Sequence, residues 1–152
     1  MVRSIFASLV IIFVSASYSL AAGDTVTYEK DIKKILGEKC MCCHGAGSPL
    51  MEEFDKNKDG FKKKITGPRF DTYSNLMVVV NGSDAGALMR RLDDGENTKD
   101  GMPGNMFQNL GCSAEERAAN LGKIKKWVGS WNLKKRKELA EDELKAITAP
   151  ER

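Results

Sequence analysis

The chain has 152 residues, room for one ordinary domain, with 41% hydrophobic and 30% charged residues, a balance that excludes an all-disordered chain and a polytopic membrane protein. Its 24 Lys and Arg against 21 Asp and Glu leave a net charge of +3, which gives no support to a nucleic-acid binder. Four cysteines and a single histidine exclude, within one chain, any chemistry that needs two imidazoles.

Arg3 precedes an apolar run from Ile5 to Val14, and small residues then lead through Ser19, Leu20, Ala21, Ala22 and Gly23. This pattern predicts a secretory signal peptide over 1–21, cleaved after Ala21, with Ala22 and Gly23 as near alternatives. The run falls short of the about 20 apolar residues that a bilayer-crossing helix needs. No cysteine stands at the exit, so no lipid anchor is expected there. The protein is therefore expected to work in the periplasm or otherwise outside the cytoplasm, where free thiols oxidise unless occupied.

Over 27–39 the apolar residues Tyr28, Ile32, Ile35 and Leu36 recur at helical spacing, with Thr27 as N-cap, which predicts a short amphipathic helix running straight into Cys40. From 45 to 68 the chain is polar and rich in Gly, Lys and Asp, and reads as a long surface loop. A helix is predicted over 71–80 with Tyr73, Leu76, Met77 and Val80 on it, although Val78-Val79-Val80 also suits a short strand. A second is predicted over 83–92 with Leu88 and Leu92 on one face, and 93–111 reads as loop. Ser113 followed by Glu116 matches a capping box and opens a helix through Trp131, whose buried stripe is Leu121, Ile124, Trp127 and Val128. The charged segment 132–152 holds Leu139, Leu144 and Ile147, enough for one more helix lying on the surface. The expectation is an all-α fold of three to five helices over 22–131 with long polar loops, plus a C-terminal helical extension.

The chemistry concentrates in Cys40-Met41-Cys42-Cys43-His44, where Cys-x-x-Cys-His occurs in one register only, Cys40 with Cys43 and then His44. The spacing suits haem attachment: each thiol adds to a haem vinyl group to form a thioether, and the adjacent imidazole reaches the iron from one face. A thioredoxin-like redox pair would follow a strand, and none precedes Cys40. A zinc site would need a second pair of ligands, and only Cys112 remains, far along the chain.

With the helix entering the motif, Gly67-Pro68, a loop holding methionines and a closing helix bearing Trp127, the chain resembles a class I monohaem c-type cytochrome from about Thr27 to Trp131. The resemblance implies first and last helices that cross, one covalent haem c per chain, and thioethers at Cys40 and Cys43. It implies His44 as proximal ligand and the carbonyl of Pro68 as acceptor of a hydrogen bond from that imidazole, which would fix its tautomer. The stretch from His44 to Pro68 is longer than in small members of the family. The second axial ligand is expected to be methionine, Met106 or Met102. Met102 has the Met-Pro context common in the family, and Met106 has the shorter run to the closing helix, which tips the reading towards Met106. Met77 and Met89 read as core packing. Arg69, Arg90 and Arg91 are candidates to meet haem propionates.

His and Met ligands leave no open coordination position, so the expected function is a one-electron carrier that touches redox partner proteins briefly over a small interface, as a monomer and not as an enzyme. The alternatives are a haem sensor or catalyst with an open distal site, or the haem subunit of a larger oxidoreductase docked through 132–152. Three weaker signals remain. Asp55 to Gly60 imitates the start of an EF-hand loop but has Lys63 at the ninth and Thr66 at the twelfth position, so it reads as a polar turn. Cys42 and Cys112 are an even pair left over after attachment, open to forming a disulfide. Lys134, Lys135, Arg136 and Lys137 form a basic cluster diluted by the acids that follow.

Overall fold

The computed structural model describes residues 25–152; the predicted signal peptide lies outside them. The chain folds as helices, and among the described residues the only β pairing is an isolated bridge between Gly129 and Ile147. No described helix is long and apolar enough to cross a membrane.

The predicted first helix is present and begins with a wide π turn, Tyr28–Ile32, that continues as α1, Lys33–Lys39. Thr27 caps it: its hydroxyl accepts from the Lys30 N–H at 3.3 Å, and its own N–H donates to the Asp31 carboxylate at 3.2 Å. The opening N–H groups have no partner within a helix, and two of them find carbonyls at the far end of the chain: Tyr28 donates to Pro150 at 2.9 Å and Glu29 to Glu151 at 3.0 Å. Tyr28, Ile32, Ile35 and Leu36 are all buried, as their spacing predicts. Cys40 leaves helical geometry at φ −123°, and the short α2, Met41–His44, starts directly after it.

The stretch 45–68 is not the open loop its composition suggests. It holds α3, Met51–Lys56, and α4, Lys58–Lys63, hinged at Asn57, whose side chain accepts from the Gly60 N–H at 3.2 Å. Phe54 and Phe61 stack across the hinge with ring centroids 5.9 Å apart. Two aromatic residues seven apart suffice to close this helical hairpin, too few to register as a periodic stripe.

Thr72 caps α5, Tyr73–Val80, which is helical throughout, so the valine run is not a strand. Next comes α6, Ala87–Leu92, which starts four residues later than predicted because Gly86 takes φ 78° and 83–86 form a turn. The predicted loop after it ends in a single 3₁₀ turn, Phe107–Leu110, that lies against α1, α6 and the closing helix. That helix, α7, Ala114–Val128, buries its predicted stripe of Leu121, Ile124, Trp127 and Val128. It stops three residues short of Trp131 because Gly129 turns left-handed at φ 78°.

The C-terminal segment differs most from expectation. It makes a 3₁₀ turn, Arg136–Glu138, and a five-residue α8, Glu141–Lys145, but Leu139, Ile147 and Ala149 are buried in the central core and do not lie on the surface. The Trp127 indole N–H donates to the Pro150 carbonyl at 2.9 Å, and the Tyr73 hydroxyl to that of Ala149 at 2.8 Å. The tail thus ties α7, α5 and the first helical turn together.

Candidate haem-attachment site

Helix α1 delivers the motif. Cys40 ends it with its N–H bonded to the Leu36 carbonyl at 2.8 Å, and Cys43 and His44 both donate their N–H groups back to the Cys40 carbonyl, at 3.1 and 3.0 Å. That single turn sets the two thiols three residues apart and His44 immediately beyond. Burial pushes the Cys40 thiol up to about 11, so it stays protonated. The Cys43 thiol is also raised, first by its contact with the Cys42 sulfur at 3.5 Å. The four cysteines are free, and Cys42 and Cys112 are both exposed.

Three neighbours define the pose of His44. Its Nδ1–H donates to the Pro68 carbonyl at 2.6 Å, which assigns the proton to Nδ1 and leaves the lone pair on Nε2. Phe70 stacks on the imidazole, centroids 4.6 Å apart and planes 7° from parallel. Gly67 lies so close that a Cβ there would collide with the Cε1 edge of the imidazole. The backbone brings these residues in by direct bonds to the motif: Gly67 donates to the Cys43 carbonyl and Phe70 to that of His44, both at 2.8 Å. Ser48 adds a hydroxyl bond to the Cys43 carbonyl at 2.9 Å. Burial, only partly opposed by the bond to Pro68, lowers the His44 pKa and keeps the ring neutral, the form a metal ligand requires.

The two candidate methionines part company. Met102 is 64% exposed, whereas Met106 is half-buried with its side chain packed on the core. The Met106 N–H donates to the Arg91 carbonyl at 2.9 Å and the Gly104 N–H to that of Asp93 at 2.8 Å, so the loop satisfies the open carbonyls at the end of α6. The Asn109 amide reaches the Met106 sulfur at 3.5 Å. Met106 leads directly into the 3₁₀ turn that lies on α1. Met89 is fully buried and Met77 half-buried, both in the core as predicted.

The arginines singled out in the sequence have protein partners. Arg69 forms a two-pronged pair with Asp71 at 2.7 and 2.6 Å, Arg90 holds the Lys134 carbonyl at 2.7 Å, and Arg91 donates to Asn105 at 3.1 Å. Lys134 is paired with Glu143 at 2.5 Å and Arg136 with Glu141 at 3.8 Å, which compensates two of the four charges in the basic cluster. Asp55 is paired with Lys58 at 2.8 Å, and no described group of three or more His, Cys, Asp and Glu is arranged to hold a metal ion.

Sequence reading missed Phe70, since an aromatic residue two beyond a proline carries no pattern of its own. It also missed Asp93, a fully buried carboxylate. Asp93 accepts from the N–H groups of Gly95 and Asn97 at 2.9 and 3.2 Å, from the Asn97 amide at 2.9 Å and from the Trp131 indole at 2.7 Å.

The residues present fit a covalently held haem: two protonated thiols on one helical turn, a neutral imidazole with a free Nε2, and a glycine that leaves room for that ring. The comparisons agree. The family model described as PccH Cytochrome c matches residues 27–151. The solved structure of the monohaem cytochrome PccH from Geobacter sulfurreducens is 49% identical, covering 82% of this chain and 98% of that one with a TM-score of 0.77. No curated protein matches. The chain is a monohaem c-type cytochrome with one covalent haem c, and it belongs to the PccH cytochrome c family.

Proposed function

We propose that the protein is an exported one-electron carrier whose haem is held by Cys40 and Cys43, with His44 and Met106 as axial ligands and a role between periplasmic redox proteins. Haem c, when bound, supplies the one-electron Fe(III)/Fe(II) couple. His44 contributes a neutral nitrogen whose orientation is set by Pro68 and Phe70. Met106 contributes a soft, uncharged sulfur, which favours the ferrous form and raises the potential relative to a second imidazole. With both positions filled by side chains, no site is open for a substrate, which separates a carrier from a gas sensor or a peroxide catalyst.

The observation that carries this reading is the contrast between the methionines: the Met106 side chain is packed on the core, and that of Met102 stands 64% exposed in solvent. The test is the ferric spectrum of the protein matured with its haem. Met106→Ala abolishes the weak near-infrared sulfur-to-iron band and lets the reduced protein bind carbon monoxide; Met102→Ala leaves the band in place. The reverse result, or a wild type that binds carbon monoxide at once, overturns the assignment. Export is supported by the pattern of 1–21 and is checked by cell fractionation and the mass of the purified chain, which should begin after Ala21.

A further inference from the structure

One residue breaks two local rules together. Helix α4 ends with the Thr66 N–H donating to the Phe61 carbonyl and the Ile65 N–H to that of Lys62, both at 3.0 Å, the paired bonds of a Schellman cap. The donor of the shorter-range of these two bonds needs a left-handed backbone and is usually glycine, yet here it is Ile65 at φ 55°. A β-branched side chain is strained in that region. It is also 78% exposed, so packing within the chain does not offset the strain.

Lys62, Lys63 and Lys64 immediately precede it, all exposed, and none makes a salt bridge among the described residues. Two of them in the last turn of α4 suit the helix dipole, which accounts for their charge but not for an exposed isoleucine. Two residues beyond Ile65, the chain bonds to the haem motif through Gly67 and Pro68. Strain retained without a structural return points to a functional use.

We propose that Ile65, flanked by Lys62, Lys63 and Lys64, is the contact by which this protein docks on a redox partner whose surface is acidic around a small apolar spot. The reading rests on the electron-carrier function. Opposite charge sets the encounter rate and orientation, and burial of Ile65 on contact supplies the short-range attraction. The cap at φ 55° leaves the side chain standing in solvent, where a partner can cover it.

The test compares wild type, Ile65→Gly, Ile65→Asn and the triple variant Lys62→Glu, Lys63→Glu, Lys64→Glu, all with haem attached. The probe is a gold electrode coated with a mixed carboxylate- and methyl-terminated monolayer, with a pure carboxylate monolayer beside it. Both Ile65 variants adsorb about tenfold more weakly than wild type on the mixed film and equally on the carboxylate film; the triple variant loses adsorption on both. Both Ile65 variants melt at or above the wild-type temperature, because glycine and asparagine tolerate the left-handed position. A lower melting temperature for both, or unchanged adsorption on the mixed film, overturns the proposal. A wild type without a reversible one-electron couple in solution overturns the carrier function instead, and an intact couple with unchanged adsorption of the Ile65 variants overturns only the docking surface.

Discussion

His44 is held by three different kinds of contact, each from a residue on the return segment 67–70. Pro68 fixes the tautomer, Phe70 the ring plane, and Gly67 makes room. Gly67 is therefore the most sensitive of the three to a single added carbon. Gly67→Ala pushes the imidazole aside and costs about 1–3 kcal/mol through overpacking, read by chemical denaturation. The same variant disturbs the axial ligation seen in the absorption spectrum. Ala46→Gly, at an exposed position close to His44 in sequence, leaves the spectrum unchanged. The motif itself, Cys40, Cys43 and His44, was plain in the sequence because its chemistry requires a fixed spacing. Phe70 was not, because stacking depends on where the chain returns in space.

At the scale of elements, the loop from α6 to the 3₁₀ turn is organised around Asp93, whose carboxylate gathers four donors. Burial alone would raise its pKa, but the bonds from Trp131, Asn97 and Gly95 outweigh it and hold the carboxyl below its ordinary value. The charges nearby are Lys125, which bonds Asp94 and Glu96 and sits 5.6 Å over the Trp131 ring, and those two acids. Because the folded-state pKa is depressed, this stabilisation is fully present above the unfolded value of about 3.9 and is lost as pH falls through the folded one. Urea midpoints measured from pH 6 down to pH 2 should fall in this window, and Asp93→Asn should flatten that part of the profile. Trp131→Phe removes one donor from a buried carboxylate, which costs about 1–3 kcal/mol in the same urea assay. Since Gly104 bonds the Asp93 carbonyl and Met106 that of Arg91, the variant should also weaken the near-infrared band.

Across the whole molecule, the two ends of the chain close one core. Tyr28 packs against Tyr73 and Trp127 with ring centroids 5.3 and 6.4 Å apart, and the tail from Ile147 to Pro150 runs over the three, giving its carbonyls to Tyr28, Tyr73 and Trp127. The segment read as a surface helix therefore acts as the cover of the core. Ile147→Ala removes a 3%-exposed side chain and costs about 2–5 kcal/mol, whereas Lys137→Ala, exposed in the same segment, stays within about 0.5 kcal/mol. Equilibrium denaturation of the holoprotein distinguishes the two.

The amphipathic stripes of α1 and α7 and the Cys-x-x-Cys-His motif were legible from residue order because each depends on periodicity or covalent spacing within a few turns. The α3–α4 hairpin, built on one pair of phenylalanines, and the tail, built on Leu139, Ile147 and Ala149, left too sparse an apolar pattern to be read locally. Their burial depends on partners far along the chain. By itself the sequence determined that one haem is attached and singled out its one histidine as the candidate proximal ligand. Only the tertiary structure decided which methionine is sheltered, which residues hold the imidazole, and that Ile65 stands strained in solvent, because each is a matter of what distant segments bring together.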